Sequence, residues 1–504
     1  MSLRGWRALS MRLAVALLVA GAGASVVTHG AQGAQVRQWP TETPPRPFQA
    51  PRVNFPDYKL KTLPNGLQVL AVSQNEQPSV SFRLLIRAGA AQDAPAKPGV
   101  ASFVAALLDQ GTATRSAEVI ANTIESAGGI LAVGAANEVT FINGAIVKDK
   151  VELALDVASE VARRPAFAAA EIRRQMDQAI QGLQVSAEDP EYVANALIDR
   201  LVFGFHPYGR PGPNSVEQIQ RITRDDLVAF HRSWFVPNNS LLAIVGDLTH
   251  EEAFAAAEKA FGSWAKADVP VMAFDEPPPP TRRLVVVDRP GAVQTEVRVG
   301  QIAVSRTHKE YVPIDMALRI LGGEGANRLF GVLRSDRGLT YGASANFRAF
   351  KFGGSFIAET DTRSETTGEV LRLTVDEFFK LQKELVDPRE LRGAQDYMSG
   401  NFPLAIETPS AIAMQVLNQL FFGLSLDELE TYREQVTTVS VADIQRVAKQ
   451  FLFPDRLSIV LVGDASTFVG QLKAMGFEQF ERIPIAQLDL SAPNLRKAGG
   501  DRRD

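Results

Sequence analysis

The feature that most constrains the fold of this 504-residue chain is an internal repeat. Two blocks match at a constant offset, "ITRDDLVAFHRSWFVPNNSLLAIVGDLT" (222–249) and "VSVADIQRVAKQFLFPDRLSIVLVGDAS" (439–466). The offset pairs Asp226 with Asp443, Leu227 with Ile444, Pro237 with Pro454, and Gly246-Asp247 with Gly463-Asp464. A helix, a proline turn, a buried strand and a Gly-Asp pair that recur in this order predict a duplicated domain.

The segment "FDEPPPPTRR" (274–283) separates the two copies. Consecutive prolines favour a semi-rigid extended linker, so we expect one domain over 57–273 and a second over 284–487. A Pro-rich lead (25–56) and a solvated tail (488–504) are expected to flank them.

Each predicted domain contains both runs of strands and runs of helices. The strand candidates are "LQVLAV", "SVSFRLLIRAG", "GILAVGAANEVTFINGAIV" and "SLLAIVGD" in the first, and "RLVVVDRP", "TEVRVGQIAV", "LTYGASANFRAF", "GGSFIAETD" and "RLSIVLVGD" in the second. This pattern predicts an α+β class, in which a mostly antiparallel sheet is covered on one face by helices.

The N-terminus has the composition of a secretory signal peptide. Three arginines precede a short apolar run, and the small residues Ala22-Gly23-Ala24 offer a cleavage site. A second cut is possible near Gly33-Ala34, so the signal covers 1–24 or reaches 33. An uncleaved membrane anchor is the alternative, but the apolar run is short for a span. We therefore expect export to the periplasm, with no stable membrane insertion after the signal is removed.

Composition excludes several function classes. The chain has no cysteine, which rules out disulfides, thiolate metal ligands, a cysteine nucleophile and a lipid anchor on cysteine. The formal net charge is -4 and the sequence pI is about 5.9. Because no basic stripe is present, nucleic acid is not the expected partner.

The stretch "PGVASFVAALLDQGTATRS" (98–116) predicts a helix with an unusual face. Its large apolar residues fall at helical spacing, at Val100, Phe103, Val104, Leu107 and Leu108. The other face carries only small residues, Ala101, Ser102, Ala105 and Ala106. None of these side chains is a usual metal ligand or acid–base group. Ser102 lacks the G-x-S-x-G context of an elbow nucleophile, so packing is its expected role.

Several motifs together resemble the pitrilysin/insulinase-type zinc peptidases, the inverzincins. They are "LPNGLQVLAV", "FRLLIRAGAAQDAPAKPGVASFVAALLDQGT", "HPYGRPGPNSVEQIQRIT" and "LGGEGANRLFGVLRSDRGLTYGASANF". The resemblance extends from Asp57 to Phe480, and the motifs occur in the family's order.

That family carries H-x-x-E-H on the helix described above, and a glutamate in a later helix completes its zinc site. The resemblance places the two histidine positions at Ser102 and Ala106 and the glutamate base at Ala105. The third-ligand position falls at Gln181 or Gly182. All four groups are absent, so the resemblance implies a degenerate site without zinc.

The five histidines do not replace the missing ligands. They are His29, His206, His231, His250 and His308. No two lie within five residues of each other, and a zinc site needs about three protein ligands. We expect surface or capping roles for them. An unrelated metal site built from them is the less favoured alternative.

The resemblance also implies a retained pair in the second half. In the family, an Arg and a Tyr of the second domain face the zinc across the substrate chamber, and they are similar to Arg334 and Tyr341. A tyrosine hydroxyl can donate a hydrogen bond to a developing oxyanion, and an arginine can hold that tyrosine or the peptide backbone. Arg337 competes for the arginine role. A Tyr at a strand start and an Arg at a helix end, without function, remain the plain alternative.

Some members of this family are heterodimers, in which one subunit carries H-x-x-E-H and its partner lacks zinc ligands. This chain resembles the second kind, which forms half of a clamshell chamber from two homologous domains joined by the Pro-rich hinge. The expected partners are a zinc-bearing H-x-x-E-H subunit and a peptide, with Arg334 and Tyr341 acting in trans. The alternatives are a non-enzymatic scaffold or peptide-binding protein on the same fold, and a self-sufficient peptidase with a zinc site elsewhere.

Two further segments have open interpretations. The Gly-rich "GGEGANR" (322–328) resembles an ordinary turn more than a substrate loop, and it is not a phosphate loop because no G-K-[ST] follows. The strand "SVSFRLLIRAG" (79–89) either offers an edge to an extended peptide or is buried with both edges paired.

Overall fold

The computed structural model describes residues 56–323 and 327–497. The predicted signal peptide and all of the predicted lead except its last residue lie outside the described residues. Within the described part, the chain builds two six-stranded sheets, one from each copy of the repeat. The α+β class and the two homologous halves are therefore confirmed.

The first sheet has the strand order β1-β2-β6-β3-β5-β4. Its strands are β1 (Tyr58–Thr62), β2 (Gln68–Ser73), β3 (Ser79–Ile86), β4 (Ile130–Ala135), β5 (Thr140–Val147) and β6 (Ser240–Gly246). Only the β2–β6 pair is parallel. The predicted strand β3 pairs with β5 on one side and β6 on the other.

The second sheet has the order β12-β7-β11-β8-β10-β9, which reproduces the first. Its strands are β7 (Arg283–Asp288), β8 (Gln294–Ala303), β9 (Ala343–Ala349), β10 (Gly354–Arg363), β11 (Ser458–Gly463) and β12 (Glu481–Pro484). The two sheets differ at one edge, because β1 is antiparallel to β2 whereas β12 is parallel to β7. The strands β1 and β12 were not predicted, since both are short, with five and four residues.

Helices fill the connections. In the first half they are α1 (Val100–Leu108), α2 (Ala117–Glu125), α3 (Val151–Arg163), α4 (Ala169–Glu188), α5 (Pro190–Phe203), α6 (Val216–Gln220), α7 (Arg224–Trp234) and α8 (His250–Phe261). In the second half they are α9 (Tyr311–Leu318), α10 (Arg328–Phe330), α11 (Thr367–Lys383), α12 (Pro388–Asn401), α13 (Pro409–Phe422), α14 (Asp427–Thr438), α15 (Val441–Phe451) and α16 (Ala465–Ala474). None of them is both long and apolar enough to span a bilayer.

The repeated residues have the same structural role in each half. Asp226 and Asp443 each complete a capping box at the start of a helix, α7 and α15. The repeated glycines end the strands β6 and β11, where the neighbouring strand comes too close for a side chain. A Cβ at Gly246 would lie 2.2 Å from the carbonyl oxygen of Ser79, and one at Gly463 would lie 2.4 Å from Thr295 Oγ1.

The two halves exchange one helix each. Helix α5 from the first half packs on β8 and β11, and α13 from the second half packs on β3 and β6. Leu197 of α5 and Leu417 of α13 are buried in the resulting apolar clusters. The prediction that helices cover one face of each sheet was therefore incomplete. The second face is covered too, by a helix that the sequence assigns to the other half.

The linker and the C-terminal segment both pack against the body of the protein. Residues 274–282 form no helix or strand. Phe274 contacts the rings of His206 and Phe352. The solvated tail predicted from residue 488 is wrong for 488–497, because Leu490 and Leu495 are buried and Leu488 bridges to Arg496. Leu490 and Leu495 are buried because they pack in the same apolar cluster as α5, and no local sequence pattern reveals this contact.

Candidate functional site

Helix α1 exposes only part of the small-residue face that the sequence predicted, because Ala101 and Ala105 are buried. Ser102 is exposed, Ala106 is half-buried and Ala105 is buried, whereas the opposite face, with Val104 and Leu107, lies in the core of the first half. The accessible face of α1 thus offers the Ser102 hydroxyl and the half-buried Ala106 methyl group.

A buried carboxylate holds the start of this helix. The oxygens of Asp93 accept hydrogen bonds from the backbone N–H groups of Gly99 (2.6 Å) and Ala101 (2.8 Å). Burial raises the pKa of Asp93 to about 7, against the lowering effect of these hydrogen bonds and of the Arg210 charge. Gly99 has a φ of 97°, a left-handed conformation that favours glycine. The role of Asp93 is not visible in the sequence, because a lone Asp before a Pro-rich turn carries no specific signal.

The predicted third-ligand positions lie on α4, which contacts α1. Gln175 of α4 donates a hydrogen bond to the carbonyl oxygen of Ala106 (3.3 Å). Gln181 and Gly182 are exposed on the same helix. Because the face of α1 and these two positions supply no imidazole, thiolate or carboxylate, they do not fit a zinc ion. Within residues 56–323 and 327–497, no group of three His, Cys, Asp or Glu side chains could hold a metal ion.

The four described histidines have separate structural contacts. His206 Nδ1 accepts a hydrogen bond from the Tyr208 N–H, and His308 Nδ1 accepts one from the Glu310 N–H. His231 Nε2 lies 2.8 Å from the Ala162 carbonyl oxygen, and His250 Nε2 lies 3.2 Å from that of Asp57. The capping prediction fits His206, which caps the short turn Pro207–Gly209, but His206 and His250 are buried and not on the surface. His29 lies outside the described residues.

Arg334 and Tyr341 form a direct contact in the second half. The Nη1 group of Arg334 donates a hydrogen bond to the Tyr341 carbonyl oxygen (2.7 Å), and its guanidinium lies 4.4 Å from the centre of the Tyr341 ring. The tyrosine side chain is 83% exposed and its hydroxyl makes no hydrogen bond within the described residues. The hydroxyl is thus presented to solvent on a ring that the arginine holds.

The loop that carries Tyr341 is fixed at its base. Thr360 of β10 donates a hydrogen bond to the Gly342 carbonyl oxygen (2.8 Å), and Thr340 Oγ1 accepts one from the Gly342 N–H (3.1 Å). Arg337, the competing candidate, forms instead an exposed ion pair with Glu369 of α11 (3.6 Å). The geometry therefore favours Arg334 as the arginine that orients Tyr341.

The structure does not join the two parts of the predicted site. The face of α1 belongs to the first half, the Arg334–Tyr341 pair precedes β9 of the second, and no hydrogen bond or ion pair within the described residues links them. Residues 324–326 of the Gly-rich segment lie outside the described residues, and Asn327 caps α10. A substrate role for that segment stays a prediction.

The free strand edge beside α1 is β4 and not β3. Since β3 is hydrogen bonded on both sides, it cannot accept an added strand, and that interpretation of 79–89 is wrong. Strand β4 is the outermost strand of the sheet, contacts α1, and leaves Ile130 67% exposed. The strand order of the sheet decides this point, since the sequence shows that both segments are strands but not which one is outermost.

Comparison with known proteins assigns both halves to related models. The family model described as "Insulinase (Peptidase family M16)" matches residues 68–212, and the model described as "Peptidase M16 inactive domain" matches 221–398. An uncharacterized zinc protease of Mycobacterium tuberculosis is 26% identical over 426 residues, which cover 82% of this chain and 95% of that protein. An uncharacterized zinc protease of Bacillus subtilis is 22% identical over 414 residues, which cover 80% and 98%.

Solved structures show the same architecture. A crystal structure titled as a peptidase M16 inactive domain, from Pseudomonas fluorescens, superposes with a TM-score of 0.77 at 28% identity and covers 81% of this chain and 98% of its own. A protease from Helicobacter pylori superposes with a TM-score of 0.73 at 21% identity, over 81% and 99% of the two chains, which shows a shared fold.

Proposed function

Because the chain belongs to the insulinase (M16) family of peptidases and the face of its helix α1 carries no metal ligand, we propose that it is the non-zinc-binding subunit of a heterodimeric metallopeptidase. The partner would be a member of the same family with H-x-x-E-H, and it would hold the zinc and the glutamate base. This chain would help to bind the peptide substrate. Export to the periplasm is part of the proposal.

The observation that carries the proposal is the contrast between Ser102, Ala105 and Ala106 on α1 and the intact Arg334–Tyr341 contact. An exposed tyrosine hydroxyl without a partner is free to donate a hydrogen bond to a carbonyl oxygen as that oxygen gains negative charge. Arg334 removes rotational freedom from the ring before the substrate arrives, which lowers the entropy cost of that contact. A chain with no chemistry of its own on α1 would gain nothing from such a pair unless another protein supplied the reacting centre.

The outer strand β4 supports the substrate-binding part of the proposal. Its unpaired backbone groups can add an extended peptide as a further strand, with main-chain hydrogen bonds for affinity. The strand lies beside α1. A peptide held there would run along the surface on which the family places its catalytic helix.

The first experiment is recovery of the tagged mature chain from its own cell envelope, followed by identification of stoichiometric partners and a peptide-cleavage assay with and without a chelator. We expect an H-x-x-E-H partner and cleavage that appears only in the complex and is lost with chelator. A chain recovered alone and inactive, or with unrelated proteins, would favour a scaffold or peptide-binding role. Stoichiometric zinc in the pure chain would instead favour a self-sufficient peptidase.

Substitutions at the pair distinguish the trans-acting subunit from a scaffold. In the reconstituted complex, Tyr341→Phe is expected to lower kcat by about 10²–10³-fold, the usual effect of removing one oxyanion donor. Arg334→Gln should lower kcat less, because the tyrosine is still present but less well held. Arg337→Gln is the matched control and should leave both kcat and assembly unchanged. Unchanged turnover in Tyr341→Phe, with normal assembly, would refute a trans-acting role.

A further inference from the structure

A cavity of about 240 Å³ lies where the turn before α1, the loop after α5 and the C-terminal segment meet. Three prolines, Phe205 and Leu490 form its apolar walls, and Arg200 and Arg210 are the charged residues of its lining. No Asp or Glu of the described residues lines it. The volume is just below the range of about 300–1,000 Å³ that is usual for ligand sites, so it suits a compact ligand. The function proposed above does not use this cavity.

Arg200 is a buried cation with few partners, since the residue is only 5% exposed. Its Nε donates a hydrogen bond to the Leu490 carbonyl oxygen (3.2 Å), and its guanidinium lies 3.6 Å from the centre of the Phe205 ring. Its two Nη groups have no acceptor among the described residues, yet neither is sealed from solvent. Four of the five N–H donors of this guanidinium are therefore available to a ligand in the cavity.

This buried positive charge has no counter-ion within residues 56–323 and 327–497. Arg200 forms no ion pair there, and burial lowers its pKa, with the charge of Arg283 acting in the same direction. The last turn of α5 and the Phe205 ring both favour a cation. Neither of them supplies an oxygen acceptor to the Nη groups. Because buried charges are usually paired and hydrogen bonded, an anion in the cavity would supply what is missing.

Arg210 brings a second guanidinium to the same lining. Its Nε donates a hydrogen bond to the Phe205 carbonyl oxygen (3.1 Å), and its Nη1 donates one to the Asp93 carbonyl oxygen (3.5 Å). The Asp93 carboxylate acts on Arg210 through its charge, but its oxygens are hydrogen bonded to the start of α1. Asp489, beside the lining in sequence, accepts hydrogen bonds from the N–H and hydroxyl groups of Ser491. The lining therefore keeps a net positive charge.

From this arrangement we propose that the cavity binds an organic carboxylate with a compact apolar body, which is either a small free acid or the C-terminus of a peptide. The carboxylate accepts hydrogen bonds from the Nη groups of Arg200, because a planar guanidinium matches the two oxygens of a carboxylate. Arg210 adds a second positive charge. The prolines and Leu490 surround the apolar body of the ligand. Inorganic phosphate would use the two charges but would leave the apolar walls unfilled.

The test is isothermal titration calorimetry of the mature chain with two acids, the amide of each, and inorganic phosphate. The acids are 4-methylpentanoate, a free aliphatic acid, and N-acetyl-alanyl-leucine, which carries a peptide C-terminus. We expect at least one acid to bind, and its amide to bind about tenfold more weakly or not at all, because the amide lacks the charge. The stronger acid identifies the source of the carboxylate. The proposal would be overturned by no binding of either acid up to about 10 mM, by equal binding of the amides, or by tighter binding of phosphate than of both acids.

Variants assign the binding to this cavity. Gln218→Glu puts a carboxylate into the lining, where it competes for the two arginines, and should weaken the bound acid by about tenfold. It should remain folded, because the new side chain can still accept the hydrogen bond from the Asn214 N–H (2.9 Å). Gln220→Glu is the matched control, since it adds the same charge at an exposed position of the same helix outside the lining, and it should bind like the parent chain.

Arg200→Gln removes the donors themselves and should weaken the acid by at least about tenfold. If Arg200→Gln unfolds, Gln218→Glu decides the test. Parental affinity in folded Gln218→Glu would refute the assignment to this cavity.

Discussion

The two halves of this protein have the same strand order, but the corresponding helix carries small side chains in the first half and a charged side chain in the second. In each half, the fourth strand of the sheet, β3 or β8, is followed by a helix, α1 or α9, that precedes the outer hairpin. The exposed side of α1 carries Ser102 and Ala106, whereas α9 carries Asp315, which is paired with Arg319 just after the end of that helix. In both helices the apolar face packs in the core and stabilises the fold. The remaining positions differ between the halves, so the fold does not require particular polar groups there.

The largest expected effect is a loss of unfolding free energy when the packing of the exchanged helices α5 and α13 is disturbed. Leu197→Ala on α5 and Leu417→Ala on α13 each empty a buried site in the exchanged packing, and each should cost about 2–5 kcal/mol of unfolding free energy. Each helix belongs to one half by sequence and to the other by packing. Both variants should therefore lower the urea midpoint of one shared unfolding transition. Urea denaturation followed by circular dichroism and tryptophan fluorescence measures this.

The control for these variants is Leu385→Ala, since Leu385 is 63% exposed and should change stability little. Two separate transitions, with each substitution affecting one of them, would show that the halves fold independently despite the exchanged helices.

The second effect is the pH dependence of the unfolding free energy that Asp93 causes at the start of α1. The pKa of Asp93 is raised to about 7 by burial. The native state therefore binds this proton more tightly than the unfolded chain does. Stability from Asp93 is present at low pH and is lost as pH rises from about 4 to about 7, by an amount on the order of 4 kcal/mol. Asp93→Asn should remove this loss, although the amide gives up one of the two helix-capping acceptors.

Urea unfolding of the parent chain and Asp93→Asn at pH 4, 5.5, 7 and 8 tests this expectation, and the difference between the two curves isolates Asp93. The gap between them should shrink or change sign toward alkaline pH. Parallel curves would mean that the carboxyl stays charged in the native state, held by Gly99 and Ala101.

The third effect is smaller and has the opposite sign. Glu310 precedes α9, and a hydrogen bond from Arg446 (2.9 Å) lowers the pKa of its carboxyl. Its stabilisation is therefore present above the unfolded-state pKa and is lost as pH falls through the folded-state value. Glu310→Gln should cost about 0.2–1 kcal/mol at pH 7, the usual worth of a surface ion pair, and almost nothing at pH 3. Thermal unfolding at the two pH values measures it, and an equal loss at both would rule out the charge as the cause.

The smallest effect is on stability at the proposed functional pair. Because Tyr341 is 83% exposed and its hydroxyl has no partner within the described residues, Tyr341→Phe should change the unfolding free energy by less than about 0.5 kcal/mol. Calorimetry on the isolated chain measures this. A large loss would mean that the hydroxyl has a structural role, and the expected fall in turnover could then not be assigned to catalysis.

Much of the candidate site could be predicted because it depends on residue type. The absence of ligands at Ser102, Ala105 and Ala106 is visible in the sequence, and so is the presence of Arg334 and Tyr341. The choice between Arg334 and Arg337 was not predictable. Both precede the same loop, and only the turn of the backbone directs one to the Tyr341 ring and the other to Glu369.

The sequence by itself determined the duplication, the central strands of each half, and the loss of zinc ligands on α1, because each depends on local periodicity or on the identity of side chains at fixed spacing. Tertiary structure alone decided the exchange of α5 and α13, the outer position of β4, and the burial of Leu490 and Leu495. These depend on contacts between segments far apart in the chain. Such contacts follow from how the two sheets bury their second faces, and local periodicity carries no record of that choice.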